Sequence, residues 1–153
     1  RFWLDIHDGF RSFAGKLAAA TGEFREQRVT PAHFRSWFAP RIDMFLSHLE
    51  GHHQIEDYQY FPLFVAAEGR LKRGFDVLES DHAVIHAEMN RLAEAAHGFL
   101  GVAPEDADGL RFAGDAYAGV SERLFALLNR HLDDEEDLIV PVIPARGESG
   151  LGL

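Results

Sequence analysis

Three residue pairs in this chain repeat one spacing: His52 with Glu56, His82 with His86, and His131 with Glu135. Residues four apart on an α-helix lie on one face about a turn apart, so each pair can aim two donors at one point. His7, near the start, adds a fifth imidazole. Five imidazoles and two carboxylates spread over four helical patterns are what a two-metal site inside a helical bundle needs. A lone histidine on an apolar stripe, such as His7 by itself, is more often a core residue with one hydrogen bond. A buried Glu, however, is rare unless paired. Two of them level with five histidines would leave several polar groups unsatisfied, and a pair of metal ions removes that cost.

The other histidines read differently. His33 and His97 fall near helix ends and are expected at the surface. His53 lies about 100° round the helix from His52 but within angular reach of Glu56, which makes it a minor substitute. His48 shares the face of His52 one turn away, where a core role and a pocket role are equally open.

Four helical stretches must position these donors. In the first, Trp3, Ile6, His7, Phe10, Ala14, Leu17 and Ala18 follow the i, i+3, i+4, i+7 template, fading near 22–28. The second opens with Thr30 as N-cap and Pro31 as first helical residue, then runs through Phe34, Phe38, Ile42, Phe45, Leu49, His52 and Glu56. Pro40 predicts a kink or restart there, and Pro62 a distorted last turn. The third covers about 71–99, with Phe75, Leu78, His82, Ile85, His86, Met89, Leu92 and Ala93 on one stripe and Gly101 as terminator. After a loop over 101–108 the fourth carries Tyr117, Val120, Leu124, Leu128, His131, Glu135 and Leu138. It stops before Pro141 and Pro144. The fold class expected is all-α, an antiparallel up-down-up-down four-helix bundle over 1–144, with a Gly-rich frayed tail over 145–153.

Counting the rise along each helix tests whether the donors meet. His7 and His52 both lie about 30 Å from the first turn, and His52 and His82 to His86 lie about 20 to 25 Å from the second. The third junction matches less well, because His131 is about 33 Å from Gly109 while His86 is about 20 Å from Gly101. A loop that climbs the bundle, or a late start near Gly114, would absorb the difference.

Composition sets outer bounds. The 153 residues fit one domain with a real core. With no cysteine, disulfides, thiolate zinc sites, iron–sulfur clusters and covalently attached haem are excluded, so any metal is held by nitrogen and oxygen. A formal net charge of −10 argues against nucleic acid or an anionic membrane as partner and favours cations. No apolar run approaches the ~20 residues that span a bilayer. The start Arg1-Phe2-Trp3-Leu4-Asp5 shows no secretory signal. The chain does not begin with Met, so a cytoplasmic location is a default expectation rather than a reading.

The pieces Ile6-His7-Asp8, His52-His53-Gln54-Ile55-Glu56-Asp57 ahead of Phe61-Pro62, Asp81-His82-Ala83-Val84-Ile85-His86, and His131-Leu132-Asp133-Asp134-Glu135-Glu136 resemble the hemerythrin family in its bacterial HHE cation-binding form. One such piece is weak evidence, but four in the family's order over nearly the whole chain are specific. The resemblance implies two iron ions bridged by two carboxylates and an oxo or hydroxo group. His82, His86 and His131 would hold one iron and His7 and His52 the other, with Glu56 and Glu135 bridging. Animal hemerythrins place an aspartate five residues after the last histidine. This chain offers Glu135 at four and Glu136 at five, so the second bridge stays open, with Glu135 preferred.

The chemistry expected is binding of O2 or another small diatomic ligand at the iron with an open position, or O2 and redox sensing. Iron storage and nitric-oxide handling use the same ligand set. Imidazole and carboxylate also suit zinc or manganese. Turnover residues are not apparent, which leans away from an enzyme. A ferritin-like or rubrerythrin-like oxidase would need Glu-x-x-His on two helices and a Glu on each of the others. Glu50-x-x-His53, Glu79-x-x-His82 and Glu94-x-x-His97 are present, but none falls on the fourth helix. A metal-free helical interaction module is the remaining alternative. Any protein partner is unknown.

Overall fold

A computed structural model of the chain describes residues 2–142; the Gly-rich tail expected over 145–153 lies outside them. Helix α1 spans Phe2–Arg25 and α2 spans Pro31–Ile55. A π-helical turn over Glu56–Tyr60 joins α2 to α3 at Phe61–Ala67, so these three form one continuous arm. After a 3₁₀ turn at Gly69–Leu71, α4 runs over Lys72–Leu100 and α5 over Ala107–Ile139. The four arms make an all-α four-helix bundle, and no strand occurs among the described residues.

Ring contacts give the directions. Phe24 stacks on Phe34 beside the first turn, Phe10 meets Phe45 midway, and His7 meets His52 farther on. Contacts whose sequence separation grows away from the turn mean that α1 and α2 run in opposite directions. Phe38 with Phe99 and His53 with His82 give the same result for α2 and α4, as do Phe99 with Tyr117 and His82 with His131 for α4 and α5.

Local chemistry explains the ends. The Thr30 hydroxyl accepts from the His33 N–H, with Pro31 at the first helical position. The Asp106 carboxylate accepts from the Gly109 N–H and starts α5. At the end of α1, Arg28 N–H reaches Glu23 C=O and Gln27 N–H reaches Phe24 C=O, with Gln27 at φ 60°. This is the paired closure that usually recruits glycine at the left-handed position.

The two internal prolines behave differently. Helix α2 continues through Pro40 without a restart. There Arg41 folds back, its guanidinium donating to Trp37 C=O at 2.7 Å and lying over the Trp37 ring. Pro62 has no N–H for Tyr58 C=O, and its ring crowds that carbonyl. The chain widens just before it, and Phe61 N–H reaches back five residues to Glu56 C=O.

The mismatch at the third junction resolves without a late start. Tyr117, ten residues into α5, packs level with Phe99 near the end of α4. Measured from that level, His82 and His131 lie about 25 and 21 Å along their helices. The first turns of α5 take up the difference, and Gly114 lets it approach closely: a Cβ there would sit 2.4 Å from Phe24 Cζ.

The interior falls into two apolar clusters. The larger holds Phe10, Phe38, Leu49, Ile85, Leu128 and Leu132 among others, and the smaller Trp3, Phe61, Phe64, Phe75, Leu78, Ile139 and Val142. Along every arm the candidate donors fall between them. His7 lies between Trp3 and Phe10, His52 to Glu56 between Leu49 and Phe61, His82 between Leu78 and Ile85, and His131 to Glu135 between Leu128 and Ile139. A polar layer is therefore capped above and below by hydrocarbon.

Candidate metal centre

Seven donors converge in that layer. His53, His82 and His131 form one group, and His7, His52, Glu56 and Glu135 the other, each with donor atoms within 4.8 Å of one another. All seven are buried, with His7, Glu56 and Glu135 fully excluded from solvent.

The two carboxylates touch both groups. Glu56 Oε1 lies 2.9 Å from His52 Nε2 and 3.7 Å from His82 Nε2. Glu135 puts Oε1 3.4 Å from His7 Nε2 and Oε2 3.1 Å from His131 Nε2. None of the four oxygens of Glu56 and Glu135 has a hydrogen-bond partner, nor has His53 Nε2. Close approach without hydrogen-bond geometry means that the atoms point at shared positions rather than at each other.

Outer carboxylates fix the imidazole tautomers. His7 Nδ1 donates to Glu136 at 3.2 Å, His82 Nδ1 to Asp57 at 2.7 Å, and His131 Nδ1 to Asp81 at 3.4 Å. With the proton on Nδ1, each Nε2 turns a lone pair inward. Yet His82 and His131 bring these nitrogens to 3.1 Å, and His7 brings its Nε2 to 3.2 Å from that of His52. For His82 and His131, whose Nδ1 atoms both face carboxylates, two lone pairs at that distance repel unless a proton or a metal ion lies between them. Metal–nitrogen bonds of about 2.1 Å meeting at a right angle separate their nitrogens by about 3.0 Å. The residues present therefore fit a metal pair.

The outer acids follow a pattern around the bundle. Asp57 neighbours Glu56 on the second arm and serves His82 on α4. Asp81 neighbours His82 on α4 and serves His131 on α5. Glu136 neighbours Glu135 on α5 and serves His7 on α1. A one-residue offset thus turns an acid toward the next helix's ligand, and the π turn carries Asp57 into place. Arg11 clamps Glu136 with 2.7 and 2.8 Å bonds to its two oxygens and reaches Asp133 at 2.8 Å.

Electrostatics of the metal-free layer agree. Burial pushes Glu56 well above the usual carboxylate range, and the Glu135 charge adds to this. Burial pulls Glu135 the same way but is outweighed by Glu56, His131 and His7, which hold it well below. Desolvation drives His52 and His82 down to about 4, with His7 and His131 the next causes respectively. Desolvation and the facing His82 drive His53 down to about 2. Burial would lower His131 too, but Glu135 and Asp81 raise it. Asp57 rises to about 6, through burial and then Glu135.

The structure brings together His7, His52, Glu56, His82, His131 and Glu135 and leaves His86 outside. Its side chain is 54% exposed, and its Nδ1 donates to Glu50 at 2.9 Å. The buried stripe of α4 runs through Leu78, His82, Ile85 and Met89; at ~100° per residue His86 falls about 80° off its mean direction. The fifth imidazole in the layer is instead His53, stacked face to face on His82 with centroids 3.9 Å apart. The adjacent His52-His53 pair was the available signal. Glu136 stands on the outer side of His7 while Glu135 is inside, which follows from turns of ~40° against ~140° from His131. His48 lines a shallow cavity on the α1/α2 face.

The model of the hemerythrin HHE cation-binding domain matches residues 1–143. The chain belongs to the hemerythrin HHE family. No curated protein and no solved structure matches it. Membership joins the His/Glu layer to cation binding, so this is a metal-binding protein of the hemerythrin type. Among the described residues no helix is long and apolar enough to cross a membrane.

Proposed function

We propose that the layer holds two iron ions and binds O2 or another small diatomic ligand, either for carriage or as the first step of sensing. The observation that carries this reading is the unequal division of imidazoles. His53, His82 and His131 gather on one side and His7 and His52 on the other, with Glu56 and Glu135 between them. The two-imidazole side leaves room for an added ligand. Iron, when bound, supplies electrons that O2 can take and return.

The protein's part is to exclude water and hold the donors still. Trp3 packs on His7 at 4.0 Å between centroids, and Phe10 on His52 at 5.2 Å. Outside Phe10 lies a cavity of about 280 Å³ lined by Ile6, Phe13, Met44 and Phe45 among others. Its apolar walls suit an uncharged diatomic molecule better than water. The five-histidine donor set also differs from the carboxylate-rich set of the di-iron oxidases. Of the Glu-x-x-His pairs, Glu50 and Glu79 stand in an outer groove rather than in the layer.

The test is an O2 titration of the iron-loaded protein prepared without air. The expected result is a visible absorption that appears with O2 and disappears on its removal through repeated cycles. A single irreversible change accompanied by iron loss would overturn the O2-binding reading.

A further inference from the structure

The groove between α2 and α4 opens beside the three-imidazole side of the layer. There Glu50, Asp57, Glu79 and His86 wall a cavity of about 320 Å³ whose floor includes His53 and His82. No Lys or Arg lines it. Because His86 gives its Nδ1 proton to Glu50 at 2.9 Å, its Nε2 keeps a lone pair for a metal. The floor joins the groove to the layer. His53 is only 5% exposed, and its Nε2 has no hydrogen-bond partner. Acidic oxygens and an accessible imidazole therefore lie one step outward from a buried nitrogen with nothing to bind.

The apolar cavity outside Phe10 on the α1/α2 face has the opposite chemistry. A divalent ion crossing it would meet one imidazole, His48, and no carboxylate in exchange for its water, whereas the α2/α4 groove offers three carboxylates with imidazole. We infer that the α2/α4 groove is the entry route for divalent metal, with His86 and Glu50 as the landing pair and His53 as the first resident ligand met. This rests on the layer being a metal centre and is independent of what the metal then does. The groove is a passing station rather than a third site: groups of three or more donors within 4.8 Å occur only in the layer among the described residues.

Loading kinetics test the inference. Metal-free protein is mixed with Co(II) alone, and the visible band is followed to completion in the full chain and in Glu50→Gln, Glu79→Gln and His86→Gln. Glu94→Gln, an exposed charge farther along α4, controls for net charge. All proteins should reach the same ion count. The three groove variants should load roughly three- to tenfold more slowly at low salt, as expected for lost steering, and the gap should narrow as salt screens it. Glu94→Gln should match the parent. Groove variants loading at the parent's rate would overturn the entry route, and so would a His86→Gln end point with fewer ions, which would make His86 a resident ligand. If the parent takes up no Co(II), the metal-centre reading itself fails and the entry route with it.

Discussion

Three imidazoles face inward through Nε2 because a carboxylate holds Nδ1 of each, and that choice of tautomer is what makes the layer a donor set. The choice can be tested at His7. Its carboxylate, Glu136, is the one clamped by Arg11, whereas Asp57 and Asp81 have no guanidinium partner among the described residues. Glu136→Gln and Arg11→Met should each weaken the ion on the His7 side by about 10- to 100-fold, the usual effect of losing an outer partner. The other ion should be held as before. Competition with a coloured chelator separates the two; equal weakening of both would show that the clamp acts on overall stability instead. His53 and His86 are separable by the same kind of substitution. His53→Ala should leave one ion weakly held, while His86→Ala should still bind two at equilibrium, as read by elemental analysis. The reverse result would restore the spacing-based assignment of His86.

At the scale of the element, the helix ends and stripes were legible because each has a local chemical cause. Thr30-Pro31 started α2 where expected, and the α4 stripe through Phe75, Leu78 and His82 was readable residue by residue. What was not legible was depth at the stripe's edge. His53 and His86 both sit off their helix's mean apolar direction, and only the packing of α2 against α4 decides that one goes in and the other stays out. The π turn was foreshadowed by Pro62 but not its effect, which is to turn Asp57 toward His82. Gln27 offers a check on local strain. A non-glycine residue at φ 60° costs about 1–2 kcal/mol, and glycine there loses some of that gain through its freer unfolded chain. Gln27→Gly should stabilise the protein by roughly 0.5 kcal/mol with the metal count unchanged. Urea unfolding measures it, and a destabilisation would mean that the Gln27 side chain contributes contacts not evident in the backbone.

For the whole molecule, a polar layer between two apolar clusters makes the metal-free protein sensitive to acid. His52, His53 and His82 have folded pKa values below the ordinary 6.5. Above pH 6.5 their contribution is complete. Below it the unfolded chain takes up protons that the folded chain refuses, and stability falls until the folded values near 4, 2 and 4 are passed. Each imidazole contributes up to about 1.4 kcal/mol per pH unit. His131, raised in the fold, acts in the opposite sense: its stability is fully present below 6.5 and is lost as pH rises through its folded value. Glu56 and Asp57, also raised in the fold, gain stability over the same fall in pH and offset the imidazole losses. The net loss is therefore expected below about pH 4, where His53 and Glu135 still titrate against folding, in chelator-stripped protein read by urea unfolding. A flat profile there would contradict the buried, neutral imidazoles. Elemental analysis of protein loaded with Fe(II) under anaerobic conditions and freed of loosely bound metal tests the two-iron layer most directly. Two iron ions per chain, falling together to near zero in Glu56→Ala or Glu135→Ala, is the predicted result. One ion or fewer per chain, or two that survive loss of either carboxylate, would contradict it.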